Sequence, residues 1–348
     1  MKNVVRAKDV AKEAGVTAAT VSYVLNEKST VTISEDTQKR VWKAVKKLGY
    51  VPNQAAKTLS SSRGTGLGKS NLIGVVIPQT EPGKKFMFSN PFYGEFLSAL
   101  EYGARLEGFH LLVSGVNADQ SYIEIAKNRS LDGIIILGMY PSDEIQEYKK
   151  SGIPSVMVDC YCDHDHYFHS VRTDDRYGGY LATEYLIKNG HDRIAFVSGE
   201  VKEIGVNYMR YLGYKDALEE YGIPFDEKLC IHGYISYEFG IKAAEQLSKN
   251  SMGVTAVFAT ADIVAVGMVK GFRKEKVRVP QDISIIGFDD IYDSIICDPS
   301  ITTIRQNVEA KGAAVADLIV SAAQSIDYPK KEIIIPIEII ERESVRKL

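Results

Sequence analysis

The chain has 348 residues, of which 45% are hydrophobic and 25% charged, and its formal net charge is −3 at pH 7. This composition is ordinary for a soluble protein, and the length suits a small domain attached to a larger two-part body. The sequence has no apolar run of about eighteen residues, no secretion signal at its start and no regular cysteine framework. We therefore expect a cytoplasmic protein that does not span a membrane.

Charge divides the chain into two parts of opposite sign. Residues 1–70 contain 13 Lys and Arg against 5 Asp and Glu, whereas the remaining residues contain 29 against 40. A basic segment attracts phosphates regardless of base sequence, and an acidic segment is repelled by them. The first part of the chain is therefore the candidate for binding nucleic acid.

Residues 7–26 predict two short helices separated by a turn at Gly15, because small and apolar residues recur at helical spacing on both sides of a residue that readily takes positive φ. Thr17 is a favourable N-cap for the second helix. A helix, a glycine turn and a second helix are typical of the helix-turn-helix, whose second helix lies in the major groove. A plain helical hairpin packed on its own domain is the alternative, and the basic charge favours DNA binding.

A third helix is predicted from Ser34 to Leu48, where Gly49 ends it. Its apolar positions would close a small core, and Trp42 is expected to pack within the same domain. The opposite face would touch phosphate through its basic residues: Lys39, Arg40, Lys43, Lys46 and Lys47.

Residues 53–60 form a segment too short to be a stable helix alone, so it is either a helix that needs a partner or a plain linker. A Ser/Gly-rich tether follows at residues 61–71. Lys69 sits in a GKS sequence, but a phosphate-binding loop requires glycine where Arg63 stands and a helix where a strand is predicted. A nucleotide-hydrolysing enzyme is therefore disfavoured.

From residue 72 onward, short apolar runs alternate with amphipathic segments. The predicted strands include LIGVVIP, HLLVS, GIIIL, SVMVD, IAFVS, AVFAT and ISIIGFD, with helices between them. This alternation predicts two doubly wound parallel sheets with helices on both faces.

The order of several motifs resembles the lactose-repressor/galactose-repressor (LacI/GalR) family of transcription factors. The motifs are DVAKEAGVTAATVSYVLN, LGYVPNQAAKTL, GIIIL, GHDRIAFVSG, RYLGYKDAL, VPQDISIIGFDD and ITTIRQ, and they span nearly the whole chain. The resemblance implies an all-α helix-turn-helix head at residues 1–60 and an α/β core at 72–348 that is similar to periplasmic binding proteins. The core would have an N-subdomain (about 72–173 and 307–332) and a C-subdomain (about 174–306 and 333–348), with chain crossings near 173, 306 and 333.

The resemblance also implies which residues face the operator. In and beside the second helix of the helix-turn-helix, these are Thr17, Ala18, Ala19, Thr20, Ser22, Tyr23 and Asn26. Residues 53–60 would be a hinge helix that forms when two copies pair over the operator, with Asn53, Ala56 and Leu59 at the DNA and Leu59 as an apolar wedge. Two alanines leave few direct base contacts, chiefly to thymine methyl groups.

In open parallel sheets ligands bind beyond the carboxyl ends of strands, where Asp159 and Asp289 stand. Each is either a carboxylate that holds sugar hydroxyls or a cap on the next helix. By resemblance, Arg210 contacts an effector. Phe92, in the family's NPFY stretch, either stacks on the sugar ring or is a core residue.

Some positions depart from the family pattern. Ala261 stands where many relatives have an effector-binding asparagine, and Ile204 replaces the arginine of the purine-binding relatives, which argues against a purine effector. The insertion EPGKKFMFS precedes Asn90, and the tether at 61–71 is longer than the family usually has.

A cluster of soft and imidazole side chains lies outside the family pattern: Cys160, Cys162, His164, His166 and His169. Its spacing is not that of a closed structural metal site, so a polar surface loop is the preferred interpretation and a metal site the alternative. No catalytic residue, metal ligand or cofactor site is predicted.

These patterns together predict a homodimeric DNA-binding regulator, with repression as its expected action, that responds to a sugar or sugar phosphate in a cleft. The end of the chain lacks leucine heptads, so a dimer is expected and not a tetramer. Control by a protein coregulator or a non-sugar metabolite is the first alternative. A sugar receptor without regulatory function would lack the basic head, and an enzyme would need a site that the sequence does not display.

Overall fold

The computed structural model describes residues 5–25, 32–50, 70–78, 88, 90–116, 122–138, 142–161, 167–201, 205–249, 253–325 and 329–348. The chain divides into two compact units, a head (Met1–Ser70) and a core (Asn71–Leu348). No helix in the described ranges has both the length and the apolar character needed to cross a bilayer.

The head contains three helices, α1 (Ala7–Ala14), α2 (Ala18–Leu25) and α3 (Glu35–Leu48). Gly15 takes φ 64° after α1, as the predicted turn requires. The buried apolar residues of the three helices form one small cluster: Val10, Ala11, Ala14, Val21, Val24, Val41 and Ala44. The predicted helix-turn-helix with a third helix is confirmed.

Two expectations for α3 need correction. Trp42 does not pack inside the head but is 50% exposed, because the inward face of α3 runs through Val41 and Ala44 and leaves Trp42 to one side. Ser34 precedes the helix as predicted, yet its hydroxyl donates to Thr37 Oγ1 at 3.0 Å and caps no backbone amide.

The core alternates strands with helices along the chain. In order, its main elements are β1 (Leu72–Pro78), α4 (Pro91–Leu106), β2 (His110–Val116), α5 (Tyr122–Arg129), β3 (Gly133–Leu137), α6 (Ser142–Ser151), β4 (Ser155–Val158), β5 (His169–Thr173), α7 (Asp175–Lys188), β6 (Ile194–Ser198), α8 (Val206–Glu220), β7 (Cys230–His232), α9 (Tyr237–Lys249), β8 (Ala256–Ala259), α10 (Asp262–Lys274), β9 (Ser284–Asp289), α11 (Tyr292–Ile296), β10 (Thr302–Gln306), α12 (Val308–Gln324), β11 (Glu332–Ile335) and β12 (Ile337–Ile340).

The strands form two six-stranded sheets, in the orders β11-β5-β4-β3-β1-β2 and β12-β10-β9-β8-β6-β7. All neighbours are parallel except β10 and β12. Every residue of β3 and β6 is buried, as continuous apolar strands covered by helices on both faces should be. The predicted pair of doubly wound sheets is confirmed.

The chain passes between the two sheets at three places. It leaves the first sheet after β5, returns after β10 through α12, which packs on β3 and β4, and leaves again at Pro336. The last crossing lies beyond the expected residue 333 because Glu332–Ile335 pairs with β5 and widens the first sheet. The strands β5, β7, β10, β11 and β12 were not predicted.

Candidate functional site

The exposed face of α2 is small and uncharged. Thr17 Oγ1 accepts a hydrogen bond from the Thr20 amide at 3.1 Å, so the predicted N-cap is present. The outward-facing residues are Ala18, Ala19, Ser22 and Tyr23, and the ring of Tyr23 is 44% exposed. Their contacts with DNA remain predictions, and Asn26, Asn53, Ala56 and Leu59 lie outside the described residues.

Some basic residues of α3 form ion pairs with acidic residues of the head. Lys47 Nζ lies 2.7 Å from Glu13 Oε1, and Arg40 Nε lies 3.2 Å from Asp36 Oδ2. Exposed ion pairs of this kind contribute little stability, so phosphates can compete for both cations.

The two sheets meet at the carboxyl ends of their strands, where Asp159 follows β4 and Asp289 ends β9. Both aspartates have positive φ, 53° for Asp159 and 120° for Asp289. A non-glycine residue at φ 120° is strained, and such strain occurs mostly where function requires a fixed side-chain position. The backbone therefore marks this cleft as a candidate site.

A fully buried lysine joins these two aspartates. Lys311 Nζ, on α12, donates to both carboxylate oxygens of Asp159 at 2.8 and 2.9 Å and to Gln306 Oε1 at 2.6 Å. Gln306 Nε2 then donates to Asp289 Oδ1 at 2.7 Å. We call these four residues, Asp159, Lys311, Gln306 and Asp289, the cleft network.

Arg210 is held beside this network by a second carboxylate. Its Nε and Nη2 lie 2.8 and 2.7 Å from Asp175 Oδ1, and Nη1 donates to the carbonyl of Thr260 at 2.5 Å. The guanidinium lies over the ring of Phe288 at 3.6 Å from its centroid. Arg210 is thus buried and oriented toward the cleft, with Nη1 4.0 Å from Asp289 Oδ1.

One carboxylate oxygen in the cleft lacks a partner. Asp289 Oδ2 is buried and has no hydrogen bond from any residue in the described part of the chain. Burial raises the pKa of Asp289 to about 7, although Arg210 and Gln306 oppose this shift. A buried acceptor without a donor, next to a guanidinium, is suited to receive a ligand hydroxyl.

The raised pKa of Asp289 predicts a pH dependence of stability. Because the folded-state pKa lies above the unfolded value, the favourable contribution of this group is complete near pH 4 and is lost as pH rises toward 7. The free energy of unfolding of the wild type should therefore fall relative to that of Asp289→Asn between pH 4 and 7 and then stay level. Urea unfolding of both proteins at each pH measures this difference, and a constant difference would contradict the assignment.

Two aromatic residues, Phe92 and Tyr93, stand at the start of α4, and the sequence prediction placed only Phe92 at the effector. Phe92 is 8% exposed, stacks on Phe96 and packs in an apolar cluster with Ala261 and Ile291, so stacking on a sugar ring remains a prediction. Tyr93 lies close to the carboxylates: burial, then Asp159, raises its pKa to about 12. Tyr93 is therefore a neutral hydroxyl donor at the cleft.

Asp289 does not act as a helix cap. The following helix α11 has no side-chain cap, and it is Asp262 Oδ2 that accepts from the amides of Asp290 and Ile291, just before this helix, at 2.7 and 3.2 Å. Asp159 is bound to Lys311, and the segment that follows it at 162–166 is not described. Ile204 and most of the insertion before Asn90 also lie outside the described residues.

The prediction that residues 160–169 form a polar surface loop is wrong for His169. His169 begins β5, is fully buried and accepts a hydrogen bond on Nδ1 from the Lys331 amide at 3.2 Å. Within the described ranges no group of side chains is arranged to hold a metal ion, and Cys162, His164 and His166 fall outside those ranges.

Several cleft residues escaped prediction, notably Lys311, Gln306, Asp175 and Tyr161. Tyr161 OH donates to Asp175 Oδ2 at 2.7 Å and so completes the environment of Arg210. Lys311 could have been found from the sequence, because it is a charged residue at a helical position that continues the buried, otherwise apolar face of α12 through Val315. The others are polar residues near strand ends and differ little from ordinary turn residues.

Comparison with known proteins decides the family. The model of periplasmic binding proteins and the sugar-binding domain of the LacI family matches residues 70–343, and that of bacterial regulatory proteins of the lacI family matches residues 7–53. The chain belongs to the LacI family. It is therefore a DNA-binding transcriptional regulator and not an enzyme.

Three similar proteins illustrate the range of similarity. Catabolite control protein A of Priestia megaterium is 33% identical and the alignment covers 89% of this chain and 90% of that protein. The transcriptional repressor PurR of Vibrio atlanticus is 30% identical, with 98% of both chains covered. The solved complex of the regulator CelR with cellobiose is 26% identical with a TM-score of 0.71, covering 98% of this chain and 99% of that one.

Proposed function

We propose that this regulator represses a carbohydrate-utilisation operon and is controlled by a small sugar-like effector in the cleft. The observation that carries this proposal is the unpartnered oxygen of buried Asp289 beside Arg210. One sugar hydroxyl can donate to the carboxylate and accept from the guanidinium at the same time. The solved relative CelR is in complex with cellobiose, which supports a sugar as the effector.

The effector contacts are assigned to Asp289 and Arg210 first, with Asp159, Phe92 and Tyr93 around them. Effector binding prefers one arrangement of the two subdomains, and that preference is the source of its control. The start of α4 already touches the C-subdomain, since Glu95 Oε1 accepts from the Tyr292 amide at 3.1 Å. A ligand that separates or tightens this contact shifts the populations of the two arrangements.

The DNA contacts are assigned to the exposed residues of α2 and to the hinge residues Asn53, Ala56 and Leu59. Because the proposed partner is an operator, we place the protein in the cytoplasm. The uncharged α2 cannot form the bidentate contacts with guanine that arginine provides, so thymine methyl groups should contribute much of the direct readout.

Replacing thymine by uracil in the bound half-sites tests this readout, because it removes only the methyl group. We expect affinity to fall about fourfold for each contacted methyl, since burying one contributes about 0.8 kcal/mol. Electrophoretic titration of a fragment selected from random DNA measures the loss. Ala19→Gly should remove the difference between thymine and uracil, whereas Lys39→Gln should weaken both fragments equally. Equal affinity of the wild type for the two fragments would contradict the assignment.

We further propose a homodimer held partly by α11. Three side chains of this short helix are exposed apolar groups: Tyr292 at 65%, Ile295 at 49% and Ile296 at 63%. Such a patch is unusual on a monomer surface and typical of an interface. A symmetric dimer would present two heads to a palindromic operator.

Ile296→Arg should convert the dimer to a monomer and weaken operator binding about tenfold or more, because the two half-sites then bind separately. Sedimentation velocity distinguishes the monomer of 38.5 kDa from a dimer of twice that mass. Ile334→Arg, at an isoleucine on β11 that is 50% exposed, is the control and should remain dimeric. A dimeric Ile296→Arg protein would exclude α11 from the interface.

Ligand screening tests the effector proposal. A panel of monosaccharides and disaccharides should contain a compound that raises the melting temperature of the wild type but not of Asp289→Asn. If no sugar changes the melting temperature or the operator affinity, control by a protein coregulator becomes the better proposal.

A further inference from the structure

All three N–H bonds of the Lys311 ammonium group have acceptors within the protein. A buried lysine is costly unless its charge is compensated, and here both oxygens of Asp159 and the side-chain oxygen of Gln306 accept from Nζ at 2.6–2.9 Å. The ring of Phe92 lies 5.5 Å from the same nitrogen. Lys311 therefore has no donor left for a ligand while this arrangement persists.

The charge of Arg210 is also matched. Asp175 is bound at 2.7–2.8 Å, and Asp289 stands 4.0 Å from Nη1. A ligand group that approaches the remaining N–H bond of Arg210 Nη1 also approaches the carboxylate of Asp289. A negatively charged group would be attracted by one and repelled by the other.

At pH values above the Asp289 pKa of about 7, the described cleft residues therefore carry more negative than positive charge. Three carboxylates, Asp159, Asp175 and Asp289, face two cations, Lys311 and Arg210. The open position is an acceptor, Asp289 Oδ2. Burial, and after it Asp175, raises the pKa of Asp289, although Arg210 and Lys311 oppose this shift.

We propose that Lys311 is a specificity-determining residue: paired with Asp159, it makes the cleft select a neutral or amine-bearing sugar and reject the phosphorylated or carboxylated form of the same sugar. This inference rests on the proposed function, and it names the chemical class of the effector. The ammonium occupies the acceptors of Asp159 and Gln306, so the effector must present its donors to Asp289.

Matched sugars test the selection. We would titrate glucose, glucosamine, glucose 6-phosphate and glucuronate, with the corresponding galactose and mannose sets, and follow melting temperature and then binding heat. We expect the neutral or amino form of one sugar to bind, and its acidic forms to bind at least about tenfold more weakly, a difference of about 1.4 kcal/mol. An acidic form that binds more tightly than its neutral parent overturns this inference alone. Failure of every sugar to bind overturns the proposed function with it.

A pair of variants isolates the role of Lys311. Asp159→Asn keeps the side-chain shape but releases the ammonium from its counter-ion, so the acidic form of the sugar should gain at least about tenfold in affinity. Adding Lys311→Met in the same chain should abolish that gain, which is measured as the ratio of the acidic-sugar affinity to the neutral-sugar affinity within each variant, so that a general loss of binding at Asp159 cancels. Circular dichroism confirms that each variant is folded. If Asp159→Asn leaves the acidic sugar as weak as before, Lys311 does not set the charge preference.

Discussion

Replacing Arg210 by methionine should lower the free energy of unfolding of the core by about 3–5 kcal/mol, because removing one partner of a buried ion pair leaves the other uncompensated. Arg210 is buried against Asp175, which has no exposed side-chain surface, and the neighbouring Asp289 would lose its nearest cation as well. Urea unfolding followed by far-ultraviolet circular dichroism measures the loss.

The fold supplies a matched control between the same two helices. Arg176 on α7 binds both oxygens of Asp216 on α8 at 2.6 and 2.9 Å, and this pair is largely exposed. Arg176→Met should therefore cost less than about 1 kcal/mol. In the Arg210→Met protein, Asp175→Asn should recover part of the lost stability, since it removes an uncompensated charge. Similar losses for Arg176→Met and Arg210→Met would show that burial does not govern these two pairs.

Strands made of apolar residues were easier to predict from the sequence than strands whose buried residues are polar. Strands such as Ile194–Ser198 are predictable because a continuous apolar run must be covered on both faces. The strand His169–Thr173 is not, because burial alternates along it and its buried positions include a histidine and a threonine. Local pattern therefore identified the apolar strands of both sheets, but not β5 and β11 of the first sheet or β7, β10 and β12 of the second.

The cleft is harder to predict because its contacts join distant parts of the chain. Asp159 and Lys311 are separated by 152 positions, and Arg210 and Asp175 by 35. The positions of Asp159 and Asp289 followed from the rule that ligands bind beyond strand ends. Which cation compensates each carboxylate depends on the packing of α8 and α12, and no local spacing contains that information.

Replacing Val21 by aspartate should abolish operator binding, with a loss of at least about 100-fold, because it places an unpaired charge in the small core of the head. Val21 is fully buried among only a few apolar side chains, and so small a domain has little stability to lose. The head should unfold at 25 °C while the core keeps its own transition. Titration of the selected DNA fragment and proton NMR of the head report the two effects.

Ser22→Asp separates loss of fold from charge repulsion, because Ser22 is the exposed neighbour of Val21 on α2. The new carboxylate should also weaken DNA binding, since the proposed operator contact would place it near phosphates and base edges, but the head should remain folded. Trp42 is the single tryptophan of the chain and lies in α3, so its fluorescence reports the head without a contribution from the core. If Val21→Asp retains both the wild-type fluorescence and operator affinity, the helix-turn-helix packing described here does not support DNA binding.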